Sequence, residues 1–370
     1  MEPGAHITFA KNPNYWANGN ASVKGFYNIG EIRYDYYRDA TAITEAFRAG
    51  DIAFRTETEP NKWQDALNFP AGEEGLILKS EFEMKLPKPY NAIVFNTRRA
   101  PFDNRQIRKA LFMLFDSNEV NELFYASQFN RTQSIFFGSV LSPVNISAND
   151  AELALLNNDL DENFINGQFT LYEEGTRFRS RMRDALKIFK AEGWEIKDGI
   201  LTELATNKPM EFEFLVRSAQ TERIALAYQN MLKKVGVTLN ISQVDSAQYT
   251  KRKQSFDYDL VTNTWYFSLS PGAEQGLYWT TTAADTEGSR NYMGLKDSQI
   301  DEIILYIEQA KSYEDLTTGV RALSRSIGNS YTTIPLFHAP KQWVTHWNYM
   351  KMHSQPSWYG SIAETWWVEE

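Results

Sequence analysis

The chain of 370 residues is long enough for about two domains of ordinary size. Hydrophobic residues make up 42% of it and charged residues 23%, which excludes a disordered or collagen-like chain. No apolar run approaches the ~18 residues of a membrane span. The formal net charge of −9 disfavours nucleic-acid binding, which needs a basic face. The absence of cysteine excludes disulfides, thiol catalysis and cysteine–zinc sites.

The chain begins without the features of a secretory signal peptide. Residues 1–4 lead directly into a strand-like run at 6–10, with no basic n-region and no apolar h-region before it. The sequence therefore predicts a chain that is either cytoplasmic or cut from a longer protein.

Strands and helices alternate in the first hundred residues. Alternating aromatic residues predict a strand at 30–37. Asp39 is placed to cap a helix, which Gly50 closes. A proline-containing break at 85–89 then precedes a β-like run at 92–96. These elements predict a mixed α/β region.

Two helices and a long polar stretch come next. Asp103 and Asp116 are the predicted N-caps of the two helices. Residues 138–175 are polar and irregular, and we expect them to form a long surface excursion.

The region after residue 209 alternates strands and helices in a regular order. The predicted elements are strand, helix, strand, helix and strand, at 210–216, 221–235, 237–244, 247–254 and 258–265. This order is typical of parallel strands joined by crossover helices. Two further helices, near 300–310 and 313–327, lead to a final strand at 334–338.

Motifs that carry catalysis or cofactor binding are absent from the sequence. The four histidines are scattered, and there is no GxSxG elbow, Walker A loop or GxGxxG turn. We therefore expect a protein that is not an enzyme, with no catalytic residues, no metal site and no cofactor. An α/β hydrolase is the weaker alternative, because a catalytic carboxylate pair cannot be recognised from sequence alone.

The candidate ligand-binding residues lie where the predicted parallel strands end. In open α/β sheets, ligands bind beyond the carboxyl ends of the strands. Aromatic rings beside an arginine and hydroxyl groups suit an extended amphiphilic ligand. The candidates are Arg217, Ser218, Asp245, Trp265, Tyr266, Phe267 and Ser268, and Asn96 and Arg131 complete the set.

Structural roles remain open for three of these candidates. Trp265 and Tyr266 could simply cover the core beneath the loop that follows them. Arg217 could form a surface salt bridge.

Four segments carry a resemblance to a known family. They are a KNPNYW turn at 11–16, an amphipathic helix at 40–51, a run at 95–111 close to FN…PFxDxxVRxAL, and a Tyr-Asp pair at 258–259 that leads to Trp265. These segments resemble those of the extracytoplasmic solute-binding proteins of the family-5 type, which serve peptide ABC importers, and they follow one another in the same order along the chain. Other segments look like the oligopeptide and microcin C uptake subgroup, at 31–39, 95–99, 269–275, 288–291 and 364–367.

The resemblance implies an α/β fold of the bilobal periplasmic-binding-protein type (type II, cluster C). Residues 96–339 are expected to form a second lobe with the βαβαβ core. Residues 1–95 and 340–370 are expected to form a partial first lobe. Hinge closure between the lobes would then trap the ligand.

The function that the resemblance implies is transport rather than catalysis. A peptide or peptide-like solute would be captured in the periplasm and delivered to an inner-membrane ABC permease. Such a protein is expected to be monomeric, not membrane-spanning, and without nucleic-acid partners. A sugar, polyamine or metal chelate on the same fold is the alternative ligand.

The chain departs from the family pattern in two respects. It resembles only the later two-thirds of full-length members, which begin with a signal peptide and further first-lobe sequence. Oligopeptide binders of the family also carry an aspartate three residues after the strand-end tryptophan, where it holds the peptide ammonium group. This chain has Ser268 at that position, and the charge pairing is therefore lost.

Overall fold

The computed structural model describes residues 4–172, 175–353 and 358–369. The chain divides into two compact units. The terminal unit comprises Met1–Lys85 and Ala339–Glu370, and the central unit comprises Leu86–His338. The first boundary lies earlier than the expected one at residue 95, because the strand at 90–95 belongs to the sheet of the central unit. That each unit corresponds to one lobe stays a prediction.

The described residues of the first part of the terminal unit contain four strands, three α-helices and a 3-10 helix at Ala21–Val23. Their bounds are β1 His6–Ala10, β2 Glu31–Asp35, α1 Ala40–Ala49, β3 Phe54–Glu57, α2 Pro60–Gln64, α3 Pro70–Glu73 and β4 Ile77–Phe82. As predicted, the Asp39 side chain caps α1 by accepting from Thr41 N and Ala42 N, and Gly50 ends it with a φ of 90°.

The central unit is a mixture of helices and strands. Its elements are β5 Tyr90–Phe95, α4 Arg105–Met113, α5 Ser117–Tyr125, β6 Asn130–Arg131, α6 Asp150–Leu153, α7 Glu162–Ile165, α8 Phe178–Ala191, β7 Trp194–Lys197, β8 Ile200–Glu203, β9 Glu211–Val216, α9 Ala219–Lys233, β10 Thr238–Gln243, α10 Ser246–Gln254, β11 Leu260–Trp265, α11 Glu274–Trp279, α12 Thr281–Asp285, α13 Ser298–Glu308, α14 Tyr313–Asn329, β12 Thr333–Pro335 and β13 Phe337–His338. The terminal unit resumes with β14 Gln342–Trp347, β15 Met350–Lys351 and β16 Trp367–Val368.

A five-stranded sheet in the order β10-β9-β11-β5-β12 organises the central unit. Strands β10, β9 and β11 are parallel, whereas β5 runs antiparallel to both β11 and β12. The predicted strand–helix alternation is therefore confirmed, with α9 and α10 as the connecting helices. The carboxyl ends of β9, β10 and β11 lie at the same end of the sheet, because the three strands are parallel.

Two details of the central unit differ from the sequence prediction. Asn104, not Asp103, caps α4, since its side chain accepts from Gln106 N and Ile107 N. The predicted final strand is split into β12 and β13, which pair with different strands. Asp116 caps α5 as predicted.

The segment at 138–175, of which residues 173–174 lie outside the described ranges, is more than a surface excursion. It contains α6 and α7, and Phe164 and Phe169 are buried in the core. Arg325 on α14 lies fully buried against it and forms an ion pair with Glu152. The guanidinium also donates to the carbonyl of Ile146 at 2.7 Å. A residue far away in sequence therefore orders this stretch.

Candidate ligand-binding site

A cavity of about 750 Å³ lies at the carboxyl ends of the parallel strands, where the sequence placed the site. We call it the strand-end cavity. Its lining residues come from β5, α10, β11 and the residue after β11, from the turn between β9 and α9 and the first turn of α9, and from the loop before α13. They are Asn91, Arg217, Ser218, Gln220, Thr221, Ser246, Tyr249, Thr250, Lys253, Gln254, Thr262, Asn263, Thr264, Tyr266 and Tyr292.

Strand β11 presents a free edge to this cavity. It pairs with β5 along its whole length, but with β9 only at Leu260 and Val261. Beyond Val261, no strand among the described residues pairs with the side of β11 that faces away from β5. A strand edge of this kind exposes backbone groups that can pair with another chain.

Hydrogen bonds show which backbone groups face that edge. Leu336 N donates to Asn91 O at 2.7 Å, so the polar groups of Asn91 point towards β12 and away from β11. Thr264 lies opposite Asn91 in the register, and these two residues therefore form a pair without backbone hydrogen bonds between them. The N–H and C=O of Thr264 consequently point away from β5, into the free edge.

Two side chains from α10 bind the first backbone carbonyl on the free edge of β11, which is that of Thr262. The Tyr249 hydroxyl donates to Thr262 O at 3.0 Å, and Lys253 Nζ approaches the same carbonyl at 3.3 Å. Lys253 Nζ also donates to Asn263 Oδ1 at 2.6 Å. The carbonyl of Thr262 is thus satisfied within the protein, and the next free position is Thr264.

The cavity is cationic. Its lining includes Arg217 and Lys253 and contains no aspartate or glutamate. Burial, with smaller contributions from the charges of Arg217 and Arg290, lowers the pKa of Lys253 to about 8. The ammonium group also lies 4.2 Å from the centre of the Tyr292 ring. The strand-end cavity therefore favours an anionic group on its ligand, although the whole chain is acidic.

Three of the nine predicted ligand-binding residues line the strand-end cavity: Arg217, Ser218 and Tyr266. Arg217 lies over the Tyr249 ring at 5.3 Å and forms no salt bridge with a described residue. Ser218 caps α9 by accepting from Thr221 N, so its hydroxyl is already engaged. Tyr266 is 73% exposed and is the most accessible ring of the set.

The residues on either side of Tyr266 point into the core. Trp265 is 3% exposed, and its ring lies 5.4 Å from that of Trp279 and 5.9 Å from that of Tyr90. Phe267 packs 4.4 Å from Phe136. Trp265 therefore covers the core, which is the structural role that the sequence left open for it. Of the three residues, only Tyr266, which directly follows the end of β11, lines the cavity.

Four other predicted residues lie outside the lining of the strand-end cavity. Asp245 caps α10 by accepting from Ala247 N and Gln248 N. Ser268 accepts from Ser270 N at 3.2 Å within its own loop.

Asn96 is fully buried, and its amide bonds are used inside the protein. Its Nδ2 donates to Phe256 O at 3.0 Å and to Tyr258 O at 2.8 Å. Its Oδ1 accepts from Arg98. Asn96 therefore holds the end of β5 to the start of β11. The fourth residue, Arg131, lines a separate cavity of the central unit.

Lys253, Tyr249 and Thr264 line the cavity but were not among the residues predicted from the sequence. The basic run at the end of α10 was the available signal for Lys253, but helical lysines commonly lie on a solvated face. Only the tertiary structure shows that this one turns inward.

Comparison with known proteins assigns the chain to a family. The sequence profile of the bacterial extracellular solute-binding proteins, family 5 Middle, matches residues 1–288. The chain belongs to this family. The resemblance inferred from the motifs is therefore confirmed, and so is the α/β, bilobal periplasmic-binding-protein fold class. The family is a class of substrate-binding proteins rather than of enzymes.

Curated relatives and solved structures extend this comparison. A putative binding protein of Brucella suis biovar 1 is 36% identical, with 99% of this chain and 60% of the relative covered. The peptidoglycan-binding protein YepA of Agrobacterium fabrum is 35% identical, with 99% of this chain and 62% of that relative covered. Among solved structures, the chain matches the oligopeptide-binding protein AppA from Bacillus subtilis in complex with a nonapeptide. The TM-score is 0.72 and the sequence identity 17%, and the match covers 100% of this chain and 65% of AppA.

The chain spans about three-fifths of the length of these curated relatives. Within the described ranges, no helix combines the length and apolar character needed to cross a bilayer. The same residues contain no cluster of three or more potential metal-ligating side chains.

Proposed function

We propose that this chain is the substrate-binding component of an ABC importer, and that its strand-end cavity captures peptides or peptide-like solutes. The full protein would bind its ligand in the periplasm as a monomer and deliver it to an inner-membrane permease, without making or breaking a bond. The observation that carries the proposal is a free strand edge opening onto a cavity that is cationic and partly aromatic.

The free edge of β11 supports recognition of a peptide main chain. An extended peptide can add to a sheet edge through backbone hydrogen bonds, with side chains pointing alternately to either side. Thr264 offers one N–H and one C=O in the required direction. Recognition through the backbone is independent of ligand sequence, which suits a binder of varied peptides.

The two cations support recognition of a carboxylate. Arg217 follows β9 and Lys253 lies on α10, and both reach the cavity next to the free edge. A hydrogen bond between a carboxylate and a charged donor is roughly twice as strong as a neutral one. We infer that these residues hold the peptide's terminal carboxylate or an acidic side chain.

No comparable anchor for a peptide ammonium is found at the loop after β11. Ser268 offers only a hydroxyl, which already accepts from Ser270 N. The nearby carboxylate of Glu274 accepts from Gly272 N at 3.0 and 3.1 Å. Asp245 is engaged in capping α10. A peptide with a blocked N-terminus should therefore bind about as well as a free one.

The names of relatives agree with a peptide-like ligand. One relative is named a peptidoglycan-binding protein, and the AppA structure contains a nonapeptide. Membership of the microcin C uptake subgroup remains a prediction.

Titration calorimetry with N-acetyl-trialanine and its C-terminal amide tests this proposal. We expect the carboxylate form to bind at least tenfold more tightly, which corresponds to about 1.4 kcal/mol. Arg217→Gln should remove most of that difference. Arg223→Gln is the matched control, because Arg223 is an exposed arginine on α9 that does not line the cavity.

Three results would contradict the proposal. One is equal binding of the acid and the amide. Another is loss of binding with the control variant alone. The third is binding of sugars, polyamines or metal chelates when no peptide binds.

A further inference from the structure

The lining of the strand-end cavity is polar throughout. Each of the fifteen described residues that line it has a nitrogen or oxygen atom in its side chain, and none of them is aliphatic. The aromatic residues among them are all tyrosines, so each ring carries a hydroxyl. Ligand cavities are usually lined mostly by hydrophobic and aromatic side chains. This cavity is therefore suited to a part of the ligand that is itself polar.

Two of the lining side chains are accessible and free to bind a ligand. Tyr266 and Gln254 are exposed, and neither side chain forms a hydrogen bond with a described residue. An apolar ligand group placed against them would remove their water without replacing its hydrogen bonds, which is unfavourable. A hydrophilic group on the ligand replaces those bonds.

Three cations lie in or next to this cavity. Arg217 and Lys253 line it, and Arg290 is near enough for its charge to act on Lys253. Burial is the main cause of the lowered pKa of Lys253, and the charges of Arg217 and Arg290 contribute to it. None of the three forms an ion pair with a carboxylate among the described residues. Their mutual repulsion is therefore not compensated within that part of the chain.

The two cations of the lining have donors left for a ligand. Lys253 Nζ directs two of its three donors at Thr262 O and Asn263 Oδ1. The Arg217 side chain contacts the Tyr249 ring and forms no hydrogen bond with a described residue. The terminal carboxylate of a peptide brings only one negative charge to this group of cations. A second carboxylate on the ligand would therefore still be attracted.

We propose that the strand-end cavity selects acidic, hydrophilic ligands, namely peptides or peptide conjugates in which a side-chain carboxylate accompanies the terminal one. This inference rests on the proposed function, because it takes a peptide-like ligand in this cavity as given. Pairing with the free edge of β11 accepts any sequence, and the polar, cationic lining then narrows the choice among sequences.

Titration calorimetry with three peptides at pH 7 tests this selectivity. They are N-acetyl-alanyl-alanyl-glutamate and the two peptides with glutamine or leucine in place of the glutamate. All three have a free terminal carboxylate and a blocked amine, and their last side chains are similar in size. We expect the glutamate peptide to bind about fivefold more tightly than the glutamine peptide, because a charge-assisted hydrogen bond is roughly twice as strong as a neutral one. The leucine peptide should bind most weakly.

Two variants then locate the preference. Lys253→Met removes the ammonium group and keeps a side chain of similar length, so the affinity ratio of the glutamate and glutamine peptides should fall towards unity. Lys251→Met should leave the ratio unchanged. It is the matched control, because Lys251 is an exposed lysine of the same helix that does not line the cavity. The ratio measured for the unaltered chain decides the proposal even if Lys253→Met fails to fold.

Three results overturn this inference. One is a glutamine peptide that binds as tightly as the glutamate peptide. Another is a leucine peptide that binds more tightly than both. The third is an equal loss of preference in Lys253→Met and Lys251→Met, because the effect would then come from the overall charge.

The proposed function is tested separately, by the preference for N-acetyl-trialanine over its amide, and it survives each of these three results. Failure of every peptide to bind would overturn the proposed function together with this inference.

Discussion

Burial holds the pKa of Lys253 at about 8, so this side chain loses its charge within an accessible pH range. Below pH 7 it is protonated and attracts a carboxylate, and above pH 9 it is mostly neutral. We expect the affinity for N-acetyl-trialanine to fall about fivefold between pH 7 and pH 9, since a charged hydrogen bond exceeds a neutral one by ~1 kcal/mol. The acetyl group removes the peptide amine, which would otherwise titrate in the same range.

Calorimetry across this pH range provides the check. Lys253→Met should bind more weakly at pH 7 and show a flat profile. A wild-type profile that is equally flat would show that Lys253 does not contact the ligand.

Trp265 and Tyr266 are sequence neighbours with opposite expected roles. Trp265→Ala should cost about 3–5 kcal/mol of stability, because it empties a buried aromatic cluster. Tyr266→Ala should change stability by less than about 0.5 kcal/mol, as expected for an exposed side chain. It should weaken peptide binding instead.

Urea unfolding and peptide titration of both variants distinguish these roles. The assignment is wrong if Trp265→Ala keeps its stability and loses affinity, because Trp265 would then act as a wall of the binding site.

At the scale of elements, a buried ion pair connects α14 with the segment at 138–175. Arg325 and Glu152 are 0% and 1% exposed. Arg325 also donates to backbone carbonyls of Ile146, Phe164 and Ile165. Removing one partner of a buried ion pair costs about 3–5 kcal/mol. Arg325→Met should cost at least this much, because it also leaves those carbonyls without a donor.

Arg321→Met, one turn earlier on α14, is the matched control. The Arg321 guanidinium contacts Val140 O at an exposed site, and its loss should cost less than about 1 kcal/mol. Denaturant unfolding that finds equal losses for the two variants would refute the anchoring role of Arg325.

The same elements show how far the sequence could predict the fold. The strand–helix alternation from β9 to β11 was predictable, because each element carries its own periodicity and its own cap. The segment at 138–175 was not predictable, because its order depends on Arg325, which follows it by about 160 residues. Local polarity gave no sign of that contact.

The position of the candidate cavity agrees with the sequence prediction, but its lining residues agree only in part. The rule for parallel strands pointed to the end of the sheet at which the strand-end cavity lies. Asp245 was predicted from its position at a strand end and Asn96 from its place in the run at 95–111, whereas the structure uses both side chains in internal hydrogen bonds. Lys253 was missed, because its inward direction depends on the packing of α10 against β11.

At the scale of the whole molecule, the charge of the chain and that of its cavity have opposite signs. The net charge is −9, yet the lining of the strand-end cavity contains two cations and no acidic residue. Exposed charges more than about 8–10 Å away are largely screened at physiological salt. Ligand preference is therefore set by the groups inside the cavity rather than by the overall charge.

Family membership and the cavity are consistent with one functional account. The chain belongs to a family of substrate-binding proteins, and its central unit carries a cationic cavity beside a free strand edge. The central claim is that a peptide extends the sheet at the free edge of β11.

Amide hydrogen exchange at Thr264, followed by NMR with and without N-acetyl-trialanine, tests this claim most directly. The Thr264 N–H points into the free edge, so a bound peptide should accept its hydrogen bond and slow its exchange at least tenfold. The amide of Val261, which lies in the paired part of β11, should change little. Saturating binding that leaves Thr264 exchange unchanged would contradict the claim.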